Sequence, residues 1–273
     1  MKIYHYTTID SLALILKNKT LLFNRLDCVD DMEEGAVVSQ GVMLGKYTFV
    51  SCWTESGEES IPLWKMYAGN GMGVRIGLEK DMFKKYYVSN IQLGKGLHTE
   101  GGIWLPLPSS EFEHRDYCVL PVFNLEDGQG MFFRRIEYVD DVYERTKDVV
   151  KITPKGDGTF DSQMALGEIG RYKHSRWAFQ EEVRFALHIF PFNPLMEATN
   201  DVSSIVLNAY LQNRPLNFTK YHMHLDESVL SNIDITLSPN ASESQRIIVE
   251  ALAAQYATSA TIRSSSLEHS VKI

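Results

Sequence analysis

The sequence contains few cysteines, no long apolar run and no excess of positive charge. Cys28, Cys52 and Cys118 are far apart and form no C-x-x-C pair, so neither a disulfide framework nor a zinc knuckle is expected. We expect three reduced, mostly buried thiols. Because no run of 18 apolar residues is present, no membrane span is predicted. A formal net charge of −8 argues against a broad basic surface for nucleic acids.

The first residues, MKIYHYTTID, also lack the apolar segment and the cleavage site of a signal peptide, and they have the pattern of a strand. We therefore expect a cytoplasmic protein. The composition, 44% hydrophobic and 23% charged, is typical of a globular protein. No internal repeat and no long linker divides the chain, so the sequence predicts a single domain over residues 1–273.

Local patterns at both ends of the chain predict an α+β fold. Near the N-terminus, a strand is followed by a helix with Thr8 as its N-cap and Asn18 at its left-handed end. A strand over 47–54, a helix over 60–68 and a strand over 73–79 come next. At the C-terminus, strands over 233–238 and 260–267 flank a helix whose N-terminus contains the capping-box-like pair Asn240 and Glu243. That strand–helix–strand order is typical of a parallel crossover.

The middle of the chain is harder to assign. Residues 95–160 are rich in glycine and proline and show little periodicity, so we expect a surface insertion or a mobile lid there. The core would then comprise residues 1–94 and 161–273. A helix is predicted from Asp161 to about His174.

The segment WAFQEEVRFAL, residues 177–187, contains the first candidate site residues. Its apolar residues fit either a helix or a strand, and the aromatic and β-branched residues favour a strand over 179–187. In a strand, Gln180, Glu182 and Arg184 share one face. A Gln-x-Glu pair can hold a sugar hydroxyl and stabilise a cation. The alternative is a solvated strand face on which Glu182 pairs with Arg184.

Two further segments provide candidate binding residues. His5 and Thr7 share one face of the first strand and could hold a ribose, unless His5 is purely structural. Trp64 and Tyr67 are three residues apart, hence neighbours on one helix face, and either form a stacking surface or pack in the core. The following GNGMG precedes a strand rather than a helix, which excludes a dinucleotide-binding glycine fingerprint.

The acidic segment around residues 27–34 could bind a hard cation such as Mg²⁺. Asp30, Asp31 and Glu33 would supply the oxygen ligands of a carboxylate–metal nuclease or phosphoesterase. No partner cluster of histidine and aspartate with metal-ligand spacing is visible, so no metal site is predicted.

Four blocks, residues 4–35, 49–78, 177–185 and 233–242, together resemble the prokaryotic family known as domain of unknown function 2971. The opening HYTTIDSLALILKNKTLLFN also resembles, more loosely, the start of ADP-ribosyltransferase-fold proteins such as DNA-modifying toxins and RNA 2′-phosphotransferases. Those proteins begin with a histidine strand and a helix, and their core ends with a strand that carries a catalytic glutamate in E-x-E or Q-x-E. The resemblance implies a split β-sheet core with flanking helices.

The resemblance also implies a role for each candidate residue. His5, with Thr7, would hold the adenosine-side ribose of NAD⁺, and Tyr67, with Trp64, would stack on the nicotinamide ring. Glu182 would bind the other ribose and stabilise its cation as nicotinamide leaves. The remaining implied roles are orientation of the acceptor by Gln180 and support of Glu182 by Ser51 and Thr54.

The leading hypothesis is thus an ADP-ribosyltransferase-like enzyme that uses NAD⁺ as a substrate and modifies an unknown protein, nucleic acid or small molecule. A toxin or phage-defence role, with a neutralising partner protein, is implied by the resemblance alone. The alternatives are a non-catalytic partner-binding module of the same fold and the carboxylate–metal nuclease or phosphoesterase.

Overall fold

The computed structural model describes residues 1–89, 92–93, 97–98, 101–112, 114–120, 122–125, 130–155, 160–193 and 202–271. The helices are α1 (Ile9–Asn18), α2 (Met32–Gly35), α3 (Ile61–Tyr67), α4 (Val142–Thr146), α5 (Val202–Leu211), α6 (Glu227–Ser231) and α7 (Glu243–Tyr256). The first ten strands are β1 (Lys2–Thr7), β2 (Thr20–Arg25), β3 (Val38–Ser39), β4 (Val42–Met43), β5 (Thr48–Thr54), β6 (Val74–Glu79), β7 (Tyr86–Ser89), β8 (Gln92–Leu93), β9 (Leu97–His98) and β10 (Gly102–Leu105). The others are β11 (Cys118–Val119), β12 (Phe133–Arg135), β13 (Glu137–Val139), β14 (Val150–Pro154), β15 (Phe160–Met164), β16 (Tyr172–His174), β17 (Glu182–Phe190), β18 (Lys220–His224), β19 (Asp234–Leu237) and β20 (Thr261–Arg263).

A mixed central sheet of ten strands organises the molecule, which confirms the α+β class. Seven strands follow the order β11–β17–β5–β1–β6–β19–β20, while β12 also pairs with β17 and the pair β18–β2 joins β5. The pairings in this sheet are antiparallel except for β19–β20, which is parallel. The face of β17 that carries Val183, Phe185 and Leu187 packs into the main hydrophobic core.

The sheet forks at β5. The end of β5 pairs with β1 through Thr54 and Tyr4, and its start pairs with β2 through Val50 and Asn24. Residues 51–53 lie between these contacts, so β1 and β2 diverge there. This fork leaves space inside the sheet, and α1, which connects β1 to β2 along the chain, borders that space.

The start and the buried face of α1 follow from residues within the helix and next to it. The side chain of Thr8 accepts a hydrogen bond from Ser11 N at 3.1 Å, as expected of an N-cap. Leu12 and Leu16 are buried against the core. The helix ends one residue later than predicted, because the left-handed conformation belongs to Lys19, with φ of 53°, and not to Asn18.

The C-terminal strand–helix–strand unit is present, with β19 and β20 parallel. Its capping box consists of Ser242 and Gln245, so the predicted pair of Asn240 and Glu243 is wrong. Asn240 lies in the turn before the helix, where its backbone N–H donates to Ser238 Oγ at 3.2 Å. A serine two residues later therefore takes the cap position.

The middle of the chain differs from its prediction in two ways. The helix predicted from Asp161 to His174 is wrong, because this stretch forms β15, a short 3₁₀ turn and β16. The segment 95–160, predicted as an insertion or lid, contributes β11 and β12, which pair with β17. Residues 95–96 and other parts of this segment lie outside the described residues. Of the described parts, β11 and β12 extend the central sheet, while β10, β13 and β14 belong to separate two-stranded sheets.

The strand predicted over 179–187 begins only at Glu182. Residues Ser175–Gln180 form a 3₁₀ helix, and Glu181, with φ of 43°, turns the chain into β17 in the left-handed region. Phe179 is 41% exposed and does not continue the apolar face of the strand. Gln180 therefore does not share a strand face with Glu182, although the alternation from Glu182 to Leu187 is as predicted.

None of the helices in the described ranges combines the length and the apolar character that a membrane span requires.

Candidate active site

A cavity of about 460 Å³ opens in the fork of the sheet. Its walls come from β1, β2, β5, β16, β17 and β18, with α1, α2, α3 and the loop 28–30 before α2. The predicted site residues that line it are His5, Thr7, Ser51, Thr54, Tyr67, Gln180 and Glu182. The fork thus brings together side chains from both ends of the chain.

Glu182 belongs to a cluster of four buried charged side chains. Arg184 Nε donates to Glu182 Oε1 at 2.8 Å, and Lys173 Nζ donates to Glu182 Oε2 at 2.8 Å. Arg184 also forms an ion pair with Glu34, whose Oε2 lies 3.8 Å from Lys173 Nζ. Two carboxylates and two cations balance each other, which is the condition under which an interior tolerates charge.

This cluster keeps Glu182 ionised. Burial alone would raise its pKa, but the charges of Arg184 and Lys173 outweigh burial and lower the pKa of Glu182 to about 2. For Glu34, burial dominates and raises the pKa despite the nearby Arg184. Of the two carboxylates, Glu182 is therefore the one that is held firmly as an anion. The predicted pairing of Glu182 with Arg184 exists, but it is buried and not solvated.

The backbone around Glu182 is fixed from two sides. Its N–H donates to the hydroxyl of Tyr138 at 2.8 Å. Thr54 lies opposite Glu182 in the β5–β17 register, and its hydroxyl donates to the carbonyl of Glu181 at 3.1 Å. Thr54 thus supports the turn into β17. Ser51 does not support Glu182, because it lies opposite Phe185 and accepts a hydrogen bond from Trp53 Nε1.

His5 lies in the fork with a defined tautomer. Its Nδ1 is 2.7 Å from the carbonyl of Cys52, one of the residues at which β5 pairs with neither β1 nor β2. A carbonyl only accepts, so Nδ1 carries the proton and Nε2 is left as an acceptor. Burial lowers the pKa of His5, although the bond to Cys52 acts in the opposite direction. His5 is therefore a neutral acceptor at neutral pH.

A hydrogen-bond relay leads from Glu182 to the acidic loop before α2. Lys173 Nζ also donates to Gln180 Oε1 at 2.8 Å, and Gln180 Nε2 donates to the hydroxyl of Tyr67 at 2.8 Å. That hydroxyl in turn donates to Asp30 Oδ2 at 2.6 Å. Burial, together with Asp30, raises the pKa of Tyr67 well above its usual value, so the phenol stays protonated.

Trp64 does not line the cavity, which corrects its predicted stacking role. The indole is fully buried in a small cluster with Tyr6, Leu63 and Ala68, where its ring meets Tyr6 edge-on with centroids 4.9 Å apart. Its Nε1 donates to Glu59 Oε2 at 2.9 Å. Trp53 borders the cavity, but its indole is buried in the hydrophobic core, with its ring centroid 5.2 Å from that of His5.

The acidic residues proposed for a metal site have other partners. Asp30 binds Tyr67, Asp31 caps α2 by accepting from the backbone N–H of Glu33, and the carboxylate of Glu33 pairs with Arg176. Across the described ranges, no group of three or more potential ligands is arranged to hold a metal ion. The cysteines differ from expectation as well, since Cys118 is buried while Cys28 is exposed and Cys52 is half-buried.

Lys173 and Glu34 are not among the site residues that the sequence predicts. Lys173 lies in the stretch from Asp161 to His174, for which a helix is predicted, and Glu34 is one of several carboxylates in the acidic segment 27–34. Their contacts with Arg184 and Glu182 join distant parts of the chain, 150 residues apart for Glu34 and Arg184. No local spacing encodes such pairs. The isolated lysine in the strand-like YKH was the one available signal.

Comparison of the chain with known protein families, with curated proteins and with solved structures finds no match. The geometry of the cavity is therefore the basis for a functional proposal.

Proposed function

We propose that this chain cleaves the nicotinamide–ribose bond of NAD⁺ and transfers ADP-ribose to an acceptor, on a split sheet of the ADP-ribosyltransferase type. The observation that carries the proposal is the position of Glu182, a firmly ionised carboxylate on the wall of a cavity that also contains His5 and Tyr67. A volume of about 460 Å³ is within the range of cofactor and small-molecule sites.

The charge of Glu182 suits the reaction. When the bond between ribose C1′ and the pyridinium nitrogen breaks, the electron pair leaves with nicotinamide and the sugar becomes cation-like. A fixed carboxylate stabilises such a sugar cation, as in glycoside hydrolysis. The cavity wall contains three carboxylates and two cations, a net charge of −1 with its histidines neutral, which also favours the cationic nicotinamide ring.

His5 and Thr7 would hold a ribose. The neutral His5 offers its Nε2 as an acceptor for a sugar hydroxyl, and Thr7, two residues along the same strand, adds a hydroxyl. Tyr67 provides aromatic surface for a ring of the ligand. Gln180, bound to both Lys173 and Tyr67, would orient the acceptor.

The test is incubation of the purified chain with NAD⁺ labelled in its adenosine half, in the presence of a whole-cell extract. We expect release of free nicotinamide and transfer of the label to one fraction, either protein, nucleic acid or small molecules. Absence of both nicotinamide release and NAD⁺ binding would contradict the proposal. The labelled fraction would also identify the class of acceptor, and a toxin or phage-defence role with a neutralising partner would then be tested by expression in cells.

A second candidate is a ligand-binding module without turnover. It is favoured by one observation, namely that both carboxylate oxygens of Glu182 already accept hydrogen bonds, Oε1 from Arg184 and Oε2 from Lys173. A carboxylate offers about four lone-pair positions, so a substrate hydroxyl must share this anion with two cations. NAD⁺ binding without nicotinamide release, with all acceptor fractions supplied, would favour this candidate.

A further inference from the structure

Transfer of ADP-ribose to an O–H or N–H acceptor requires a group that removes a proton. The acceptor atom attacks ribose C1′, the bond to nicotinamide breaks, the electron pair leaves with neutral nicotinamide, and the acceptor's proton must go to a base. Gln180 cannot take that proton, because an amide is not basic. Glu182 is a poor recipient as well, since its pKa is about 2 and its oxygens face Arg184 and Lys173.

Asp30 is differently placed. It lines the same cavity and is exposed at its mouth, where an acceptor can arrive. The other carboxylates of the wall, Glu34 and Glu182, are paired with buried cations, whereas Asp30 has no ion pair among the described residues. Its Oδ2 accepts from Tyr67, and its Oδ1 accepts no hydrogen bond within the described part of the chain.

The hydrogen bond from Tyr67 fixes the orientation of the Asp30 carboxylate and connects it to Glu182. Tyr67 donates to Asp30 and accepts from Gln180, and Gln180 is connected through Lys173 to Glu182. Four hydrogen bonds of 2.6 to 2.8 Å thus connect the two carboxylates without direct contact between them. In inverting glycosidases one carboxyl group protonates the leaving group and a second, separate carboxylate is the general base for the nucleophile. Nicotinamide leaves as a neutral molecule without a proton, so only the base has a counterpart here.

We propose that Asp30 is the general base that accepts the proton of the acceptor nucleophile, while Glu182 stabilises the sugar cation. This inference rests on the proposed function. His5 is the competing base, but it lies in the fork beside Trp53 and is less exposed than Asp30. Its Nε2, which has no partner among the described residues, is the acceptor that a bound ribose hydroxyl requires.

The test compares Asp30→Asn with wild type in nicotinamide release, first with a neutral nucleophile such as water and then with added azide. General bases typically contribute 10²–10⁴-fold, so release with water should fall on the order of 10²-fold. Azide is an anion that carries no proton, so it should restore release by the Asp30→Asn variant to near the wild-type rate with azide. Azide should not rescue Glu182→Gln, because that variant no longer stabilises the sugar cation, and azide replaces only the need for a base.

Two variants serve as references. Asp27→Asn alters an exposed carboxylate three residues away that pairs with Arg25 and does not line the cavity, and it should match wild type. Tyr67→Phe keeps the ring but removes the hydroxyl that holds Asp30, and it should show a smaller loss that azide also reduces. Melting temperatures of all variants establish that they are folded.

Unchanged release by Asp30→Asn in an active enzyme would overturn the inference and leave the proposed function intact. A slow Asp30→Asn variant that azide does not rescue would also overturn it, because Asp30 would then not act as a base. Rescue by azide of a slow His5→Asn variant, with Asp30→Asn normal, would reassign the base to His5. A wild-type chain that neither binds NAD⁺ nor releases nicotinamide would refute the proposed function and, with it, this inference.

Discussion

Lys173 Nζ lies 2.8 Å from Glu182 Oε2, and each of these side chains exposes only 4% of its surface. Arg184 holds the other oxygen of the same carboxylate. The carboxylate assigned to catalysis is thus also part of the interior of the fold. Changes to this cluster should therefore affect stability as well as activity.

Lys173→Met should destabilise the protein strongly. It removes one cation from a buried group of two carboxylates and two cations, and breaking such a buried pair typically costs about 3–5 kcal/mol. Urea unfolding measures the change. Lys85→Met is the matched control, since Lys85 pairs with Asp81 at the surface and its loss should cost about 0–1 kcal/mol. Equal costs for the two variants would show that the cluster does not stabilise the interior.

Acid should remove the contribution of Glu182 to stability. Its pKa in the folded state, about 2, is below the ordinary value of 4.5, so folding favours the ionised form. The contribution is complete above about pH 4.5 and is lost as the pH falls toward 2; a shift of this size corresponds to on the order of 3 kcal/mol. Urea unfolding of wild type and Glu182→Gln between pH 7 and pH 3 should show a stability difference that shrinks with acid. A constant difference would contradict the lowered pKa.

His5→Asn should weaken NAD⁺ binding and have less effect on the rate. Asparagine can still donate to the Cys52 carbonyl as His5 Nδ1 does, but it lacks the acceptor Nε2. Loss of one hydrogen bond of about 0.5–1.5 kcal/mol corresponds to roughly a 2- to 12-fold loss of affinity. Calorimetric titration with NAD⁺ measures it, and an unchanged affinity would remove His5 from the binding site.

The pH dependence of binding provides a second test of His5. Because burial lowers the pKa of His5 below 6.5, the imidazole is neutral from pH 8 to 6.5, and wild-type affinity should be constant there. Below the lowered pKa, Nε2 is protonated and can no longer accept, so affinity should fall. His5→Asn should lack this acidic decrease. If affinity falls equally at acidic pH in wild type and in His5→Asn, a group other than His5 causes the decrease.

Gly73→Ala should disturb the end of β1. A Cβ at Gly73 would lie 2.2 Å from the carbonyl oxygen of Thr7, which is a backbone atom of a strand in the cavity wall. Overpacking of this kind costs roughly 1–3 kcal/mol, and the shift of β1 should also weaken NAD⁺ binding. Gly57→Ala, where a Cβ would meet nothing within 4 Å, is the control. If Gly73→Ala unfolds and binds NAD⁺ as Gly57→Ala does, the close approach of residue 73 to the Thr7 carbonyl would be contradicted.

The sequence predicts those elements that depend on short-range signals, such as helix caps and the alternation of apolar residues. Thr8 caps α1 through its side-chain oxygen, and the alternation from Glu182 to Leu187 is that of a strand. These features follow from side-chain chemistry within a few residues. The sequence also predicts His5, Tyr67 and Glu182 as site residues, and all three border the same cavity.

The environment of Glu182 could not be predicted in this way. Gln180 reaches Lys173 from a 3₁₀ helix because Glu181 turns the chain in the left-handed region, a conformation that a glutamate only occasionally adopts. Glu34 comes from the opposite end of the chain. Whether a carboxylate is solvated or buried among cations is decided by such tertiary contacts, which residue spacing does not specify.

The most direct test is the rate of nicotinamide release by Glu182→Gln, measured together with NAD⁺ affinity and melting temperature. Gln keeps the size of the side chain and removes its charge, so the rate should fall on the order of 10²–10³-fold while affinity changes little. The melting temperature should also fall, because Lys173 and Arg184 lose a buried counter-charge. Glu181→Gln, an exposed neighbour outside the cavity, should match wild type in all three measurements. Release by a folded Glu182→Gln variant at the wild-type rate would contradict the assignment of Glu182 as the catalytic carboxylate.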